Sequence, residues 1–138
     1  MSIETDLFSY FSTQWGTRTK ITYPNTTSAQ FGLDYTDDIS QVSVSILDVG
    51  TELLSVPVSG SSPRRRFFIL ACLLIGKKDS GFGVLYGHLE QLDTIFLDAD
   101  FIQGSTHFIF EESRRRPPIS DPAAFVLPWE CPFYVYIS

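Results

Sequence analysis

Few residues in this chain could do chemistry. Its only histidines are His88 and His107, and its only cysteines are Cys72 and Cys131. Neither histidine sits in an HExxH pattern and neither cysteine in a CxxC pattern, the spacings that bring two ligands to one metal ion. Motifs for a nucleophilic serine (GxSxG), a phosphate loop or a dinucleotide-binding turn are also missing from the sequence. The GFG at 81–83 follows no phosphate-loop pattern and reads as the opening of a helix. Asp37 with Asp38, and Asp98 with Asp100, pair carboxylates as acid–base chemistry would need, but turn-rich loops use such pairs for solvation and local hydrogen bonds. The expectation is a protein with no catalytic residue, no metal, no cofactor and no enzymatic activity.

The second unusual chemistry is arginine. Arg64, Arg65 and Arg66 form one run and Arg114, Arg115 and Arg116 another, so six of the ten Lys and Arg residues lie in two triplets flanked by proline. One reading is a solvated charge run that keeps loop tips wet. The other is contact with acid groups on a neighbouring subunit or with DNA phosphates, for which the planar guanidinium is well suited. Because the chain carries a net charge of -6, carboxylates on a neighbouring subunit are favoured over DNA. Strand alternation would send Arg65 to one face and Arg64 with Arg66 to the other.

The elements that must place these residues follow from periodicity. Ile3, Leu7, Phe8, Phe11 and Trp15 recur at helical spacing, with Ser2 as N-cap and Gly16 as the stop. KITYPN is a short extended piece, and the polar 24–40 segment is a long loop. In QVSVSILDV, alternation predicts a strand with one buried face, and TELLSVPVSG reads as a second strand limited by Pro57. The stretch FFILACLLIG, residues 67–76, is different: Phe67, Ile69, Leu73 and Ile75 point one way, Phe68, Leu70, Cys72 and Leu74 the other, and neither set is polar. Both faces of that strand must be covered. A second helix over about 81–97 carries the stripe Phe82, Leu85, Leu89, Leu92 and Phe96. STHFIFEES is a short strand, RRRPPISDPA a loop, and AFVLPWECPFYVYIS a closing strand.

This order predicts an α+β fold, a mainly antiparallel β-sheet with two helices packed on one face and an extended β-hairpin arm. With the helices on one side, the sheet-face packing set Phe67, Phe68, Ile69, Leu70, Leu73 and Leu74 cannot all be buried within one copy, and oligomerisation is the simpler way to cover the rest. Residues 1–138 read as a single domain. The 43% hydrophobic and 14% aromatic content, with 12 phenylalanines, is that of a folded protein with an aromatic core. MSIETDLFSYF lacks a basic n-region and an unbroken apolar h-region, so no secretory signal and a cytoplasmic setting are expected. No apolar run reaches the roughly 20 residues of a spanning helix, so no membrane partner is expected. In a reducing compartment both cysteines would act as small hydrophobes.

Taken together, DLFSYFSTQW, TKITYPN, QVSVSIL, SGSSPRRRFFILACLLIG, GHLEQLDTIF and WECPFYVYIS give the chain a pattern that resembles the small tail terminator, or tail completion, proteins of tailed bacteriophages, of the lambda-like type. The likeness covers most of the chain; the paired arginine triplets and the proline-rich RRRPPISDP segment fall outside it. It implies a structural virion protein of the tail and neck, assembled in the host cytoplasm. It implies a homo-oligomer, a hexameric ring that caps the head-proximal end of the tail tube and stops its growth. The implied partners are other copies of the chain, the tail tube protein, a neck or head-completion protein and DNA in the ring lumen. Two other readings are a head-completion or head–tail joining protein, and a small enzyme or ligand-binding domain using His88 or His107.

Overall fold

The computed structural model describes residues 3–23, 41–53, 64–77, 82–120 and 124–137. The polar 24–40 segment and the hairpin tip at 54–63 lie outside the described residues. The chain is α+β, as its periodicities require: the described residues form two helices and a mixed, mostly antiparallel sheet.

Helix α1 (Ile3–Trp15) buries Leu7, Phe11 and Trp15, spaced by four along one stripe, and carries Glu4 and Asp6 in its positive first turn. Strand β1 (Lys20–Thr22) runs parallel to the start of β2 (Gln41–Leu53). β2 then pairs antiparallel with β3 (Arg64–Lys77), from Gln41↔Ile75 to Leu53↔Arg64, with a bulge between Asp48 and Gly50. Thr51–Leu53 therefore prolong β2 and do not begin the separate strand expected there. α2 (Phe82–Phe96) follows, then β4 (Asp100–Gln103) and β5 (Thr106–Phe110), which form a tight hairpin. β6 (Arg114–Arg115), β7 (Ile119–Ser120) and β8 (Ala124–Ile137) complete the chain. The sheet order is β1-β2-β3-β8-β5-β4, with β6 and β7 continuing beside β8.

Two parts of this path differ from the sequence expectation, and proline explains one of them. RRRPPISDPA is not wholly a loop: it contributes β6 and β7 to the sheet. β8 contains Pro128 and Pro132 and yet lies inside the sheet, where a missing N–H would normally break a ladder. In an antiparallel ladder, the N–H and C=O of one residue point to the same neighbour. The carbonyl of Pro132 accepts from the Glu111 amide at 2.9 Å, and that of Pro128 accepts from the Arg116 amide at 3.1 Å. Both prolines thus turn their missing donors away from β3 and toward the edge formed by β5, β6 and β7. The edge breaks at those places, after Phe110 and after Arg115, while the β3–β8 ladder runs unbroken from Arg64↔Ile137 to Lys77↔Ala124. The other difference is β4, a four-residue DFIQ segment too short to show a period.

The core lies between the helices and one face of the sheet. Val42, Val44, Phe68, Leu70, Cys72, Leu74, Leu127, Trp129, Cys131, Phe133 and Val135 are buried there against Leu7, Phe11, Leu85, Leu89, Leu92 and Phe96. Aromatic rings link the layers in a chain: Phe11 to Phe96 at 5.6 Å, Phe96 to Phe110 at 5.0 Å, Phe110 to Phe133 at 4.7 Å, and Phe133 to Phe68 at 5.2 Å. Each such pair adds about 0.5–1.5 kcal/mol beyond the area it buries.

One buried acid fixes α1 to the β4–β5 hairpin. Asp6 accepts a hydrogen bond from the Thr106 hydroxyl at 2.8 Å. Gly104, with φ of +63°, brings the turn so close that an added Cβ would lie 2.7 Å from Asp6 Oδ1. Replacing Gly104 with alanine is therefore expected to cost about 2 kcal/mol, through left-handed backbone strain and overlap with the carboxylate. The same change at Gly87, in α2 with nothing within 4 Å of an added Cβ, is expected to stabilise by about 0.5–1 kcal/mol. Urea unfolding midpoints check the pair, and shifts of the same sign would contradict this placement of the turn.

Candidate interaction surface

Residues directly opposite one another in an antiparallel pair project to the same face. The register therefore divides the sheet without ambiguity. Phe68↔Phe133, Leu70↔Cys131, Cys72↔Trp129 and Leu74↔Leu127 face the helices; Phe67↔Tyr134, Ile69↔Pro132, Ala71↔Glu130, Leu73↔Pro128 and Ile75↔Val126 face away. Of the six sheet-packing residues expected from sequence, Phe68, Leu70 and Leu74 are buried under the helices. Phe67, Ile69 and Leu73 lie on the other side.

That outer face is mixed: β3 is apolar along it, β2 contributes Ser43, Ser45 and Leu47, and β8 carries Glu130. Ile75 and Val126 form a small buried cluster of their own at one end. Beyond it Leu73 is 40% exposed, Leu47, opposite Ile69, is 52% exposed, and Tyr136 is 50% exposed. Ile102, on the same face through the pairing of β4 with β5, is 70% exposed. Single exposed apolar residues are ordinary; here they border the half-buried Phe67, Ile69, Pro132 and Tyr134 of β3 and β8, which makes a larger apolar area on those two strands.

Alternation sorts the arginines between the two faces. Arg66 turns to the helix side, ion-paired with Asp48 and stacked over Phe68, its charge reinforced by the hydrogen bond to Asp48. Arg115, opposite Trp129, also turns inward and meets Asp93 at 2.7 Å. Arg65 turns outward, its guanidinium 5.2 Å from the ring centres of both Phe67 and Tyr134. Arg114, opposite Glu130, and Arg116, which contacts Glu130 at 2.5 Å, also lie on the outer side. Arg64 opens β3 opposite Leu53 and Ile137. The two triplets, far apart in sequence, thus deliver Arg65, Arg114 and Arg116 to one face, which spacing within each triplet could not reveal.

Asp93 of α2 is the polar anchor beneath this arrangement. Its Oδ1 accepts from the Ser113 hydroxyl at 2.6 Å and from the Trp129 indole N–H at 2.9 Å, while Oδ2 takes Arg115. Burial opposes its charge, but the hydrogen bonds from Ser113, Trp129 and Arg115 outweigh burial and hold the carboxyl below its ordinary range. No sequence pattern marked this residue, because its donors come from segments 20 to 36 positions later.

The remaining candidates that the structure describes lie in separate surroundings. His88 is half-buried beside Trp15, its ring 3.4 Å from Arg18, and burial and then the Arg18 charge disfavour its protonation. His107 and Asp100 are in hydrogen-bond contact across β4 and β5, on the outer face. Asp100 therefore belongs to a strand and not to the loop expected for it, whereas Asp98 takes a left-handed turn conformation with φ of 55° after α2. Asp37 and Asp38 lie outside the described residues. Both cysteines are free and buried; burial raises both thiols, that of Cys131 to about 12. Among the described residues, no three His, Cys, Asp or Glu side chains converge as a metal set, and no helix is long and apolar enough to cross a membrane.

No family model matches the chain, and no curated protein does. Six solved chains match in structure. One of them, a protein known only by a sequence number, superposes with a TM-score of 0.67 at 12% identity, over 100% of this chain and 98% of its own. At that identity the likeness concerns the fold alone.

Asp93→Asn is expected to lower stability near neutral pH by about 2 kcal/mol, because the indole and guanidinium donors lose a charged acceptor. The folded carboxyl titrates below its unfolded value near 3.8, so this contribution is complete above that pH and disappears as pH falls through the folded value. Denaturant midpoints measured from pH 7 to pH 3 should converge for wild type and variant at the acid end. A constant gap across that range would contradict the ion-paired state of Asp93.

Proposed function

We propose that this chain is a structural assembly protein of a tailed-phage virion, a tail terminator whose copies close into a ring. The ring caps the head-proximal end of the tail tube, meets a neck or head-completion protein on its other side and surrounds the DNA path. It carries out no reaction of its own and resides in the tail and neck after assembly in the host cytoplasm.

The observation that carries this reading is the two-sidedness of β3. One face is closed by both helices, and the other leaves Leu47, Leu73 and Tyr136 exposed beside Phe67, Ile69 and Tyr134. Burial of apolar surface is worth about 25 cal/mol per Å², so covering these residues supplies a driving force for self-association. The elements support the same reading. Segments that resemble the tail terminators fall on α1, β1, β2, β3, α2 and β8 in the order the resemblance implies.

Native mass spectrometry and negative-stain imaging of the purified protein provide the test. The expected result is a closed ring, six-membered as the resemblance implies, or concentration-dependent association leading to it. A species that stays strictly monomeric at hundreds of micromolar, and is not found on tail ends, would contradict the proposal.

A further inference from the structure

We infer that Arg18, His88 and Gln91 form a pH-sensitive latch, which holds the turn between α1 and β1 against α2 while His88 is neutral and releases it when His88 is protonated. The latch lies within one subunit and works with or without self-association.

The turn needs a tether. The chain leaves α1 at Gly16, whose φ of +65° ends the helix, and enters β1, a strand of three residues that stands first in the sheet order. A strand so short makes few ladder bonds, so the turn before it decides how firmly it stays in place. Two sets of contacts fix that turn. The buried Trp15 indole donates to the Thr19 hydroxyl at 2.9 Å. The Arg18 guanidinium reaches across to α2, where it donates to the Gln91 side-chain oxygen at 3.3 Å and lies 3.4 Å from Nδ1 of His88. Both the guanidinium and the imidazole also stand 5.8 Å from the Trp15 ring, so the three groups form one cluster.

The chemistry of the tether sets its response to pH. Arginine carries donors only, so Nδ1 of His88 is the acceptor, and the neutral ring holds its proton on Nε2. Protonation places a second donor on Nδ1 and a cation against the guanidinium. The hydrogen bond is then lost and like charges repel. The charged group acting on the ring is Arg18. From α1 the ring meets Trp15, and one turn away on its own helix stand Val84, Leu85, Gln91 and Leu92, none of which titrates. Burial, and then the Arg18 charge, disfavour the protonated ring. The released turn therefore takes up the proton more readily than the latched one. By linkage, the latch is closed above the ordinary histidine value of 6.5, and the open form grows as pH falls below it.

The test is NMR titration and amide exchange on the full chain, with Arg18→Gln, His88→Gln and His107→Gln variants each checked for folding by circular dichroism. The His88 ring should titrate below 6.5 in the wild type. In Arg18→Gln that midpoint should rise yet stay below 6.5, because burial remains. Amides of residues 18–22 should exchange faster in the wild type than in His88→Gln at pH values below the midpoint, and equally above it. Comparison at the same pH removes the intrinsic pH dependence of exchange. His107→Gln should behave as the wild type does, since His107 lies with Asp100 on the far side of the sheet. A His88 midpoint at or above 6.5, or one unmoved by Arg18→Gln, would overturn the inference. So would exchange at residues 18–22 that is the same in wild type and His88→Gln while His88 is protonated.

Discussion

The unbroken ladder between β3 and β8 is the constraint on which the rest of the structure depends. Two 14-residue strands hold one register along their whole length. A slip of one residue would exchange the faces of both strands at once and put Phe67, Ile69 and Tyr134 under the helices in place of Phe68, Leu70 and Phe133. The helix side prevents this, because Trp129, Phe133 and Phe68 are matched to Phe96, Phe110 and the Asp93 carboxylate. The prolines serve the same register from the other edge. By aiming their missing donors at β5–β7, Pro128 and Pro132 keep every bond to β3 possible and confine irregularity to an edge that tolerates it.

From that register follows the division of charge. The chain places an arginine on each side of the sheet at two places, and the inward members are met by Asp48 and Asp93. These inward pairs stand at half-exposed positions, where each adds modest charge complementarity. The outward arginines meet acids as well: Arg116 pairs with Glu130, Arg114 lies opposite Glu130, and Arg65 lies opposite Glu52. A protein meant to remain alone would gain from more polar residues on the outer face of the sheet. This one instead places leucine, tyrosine and isoleucine there, at a cost in free-monomer solubility that association would remove.

Much of this was readable in the sequence, for physical reasons. The alternation in QVSVSIL and the four-residue spacing in α1 are strong periodic signals, and the apolar run FFILACLLIG marked a strand, β3, with apolar residues on both faces. Both cysteines, read as small hydrophobes, are buried thiols. What could not be read depends on distant pairing. β4 and the short β6 and β7 acquire their form only from β5 and β8, and the edge breaks depend on prolines some 12 to 21 positions away. Asp93 gained its role from three donors on other segments. The common destination of Arg65, Arg114 and Arg116 needed the register of β6 against β8, although the opposition of Arg65 to Arg66 followed from alternation alone.

The central claim is that the face of the sheet away from the helices is covered by another copy. Carbene footprinting, which labels side chains in proportion to their exposure, tests it most directly when performed on dilute and on assembled protein. The account predicts that Leu47, Leu73 and Tyr136 lose most of their labelling on assembly. Labelling of Leu73 and Tyr136 that is the same in both samples, with particles of larger mass present, would contradict it.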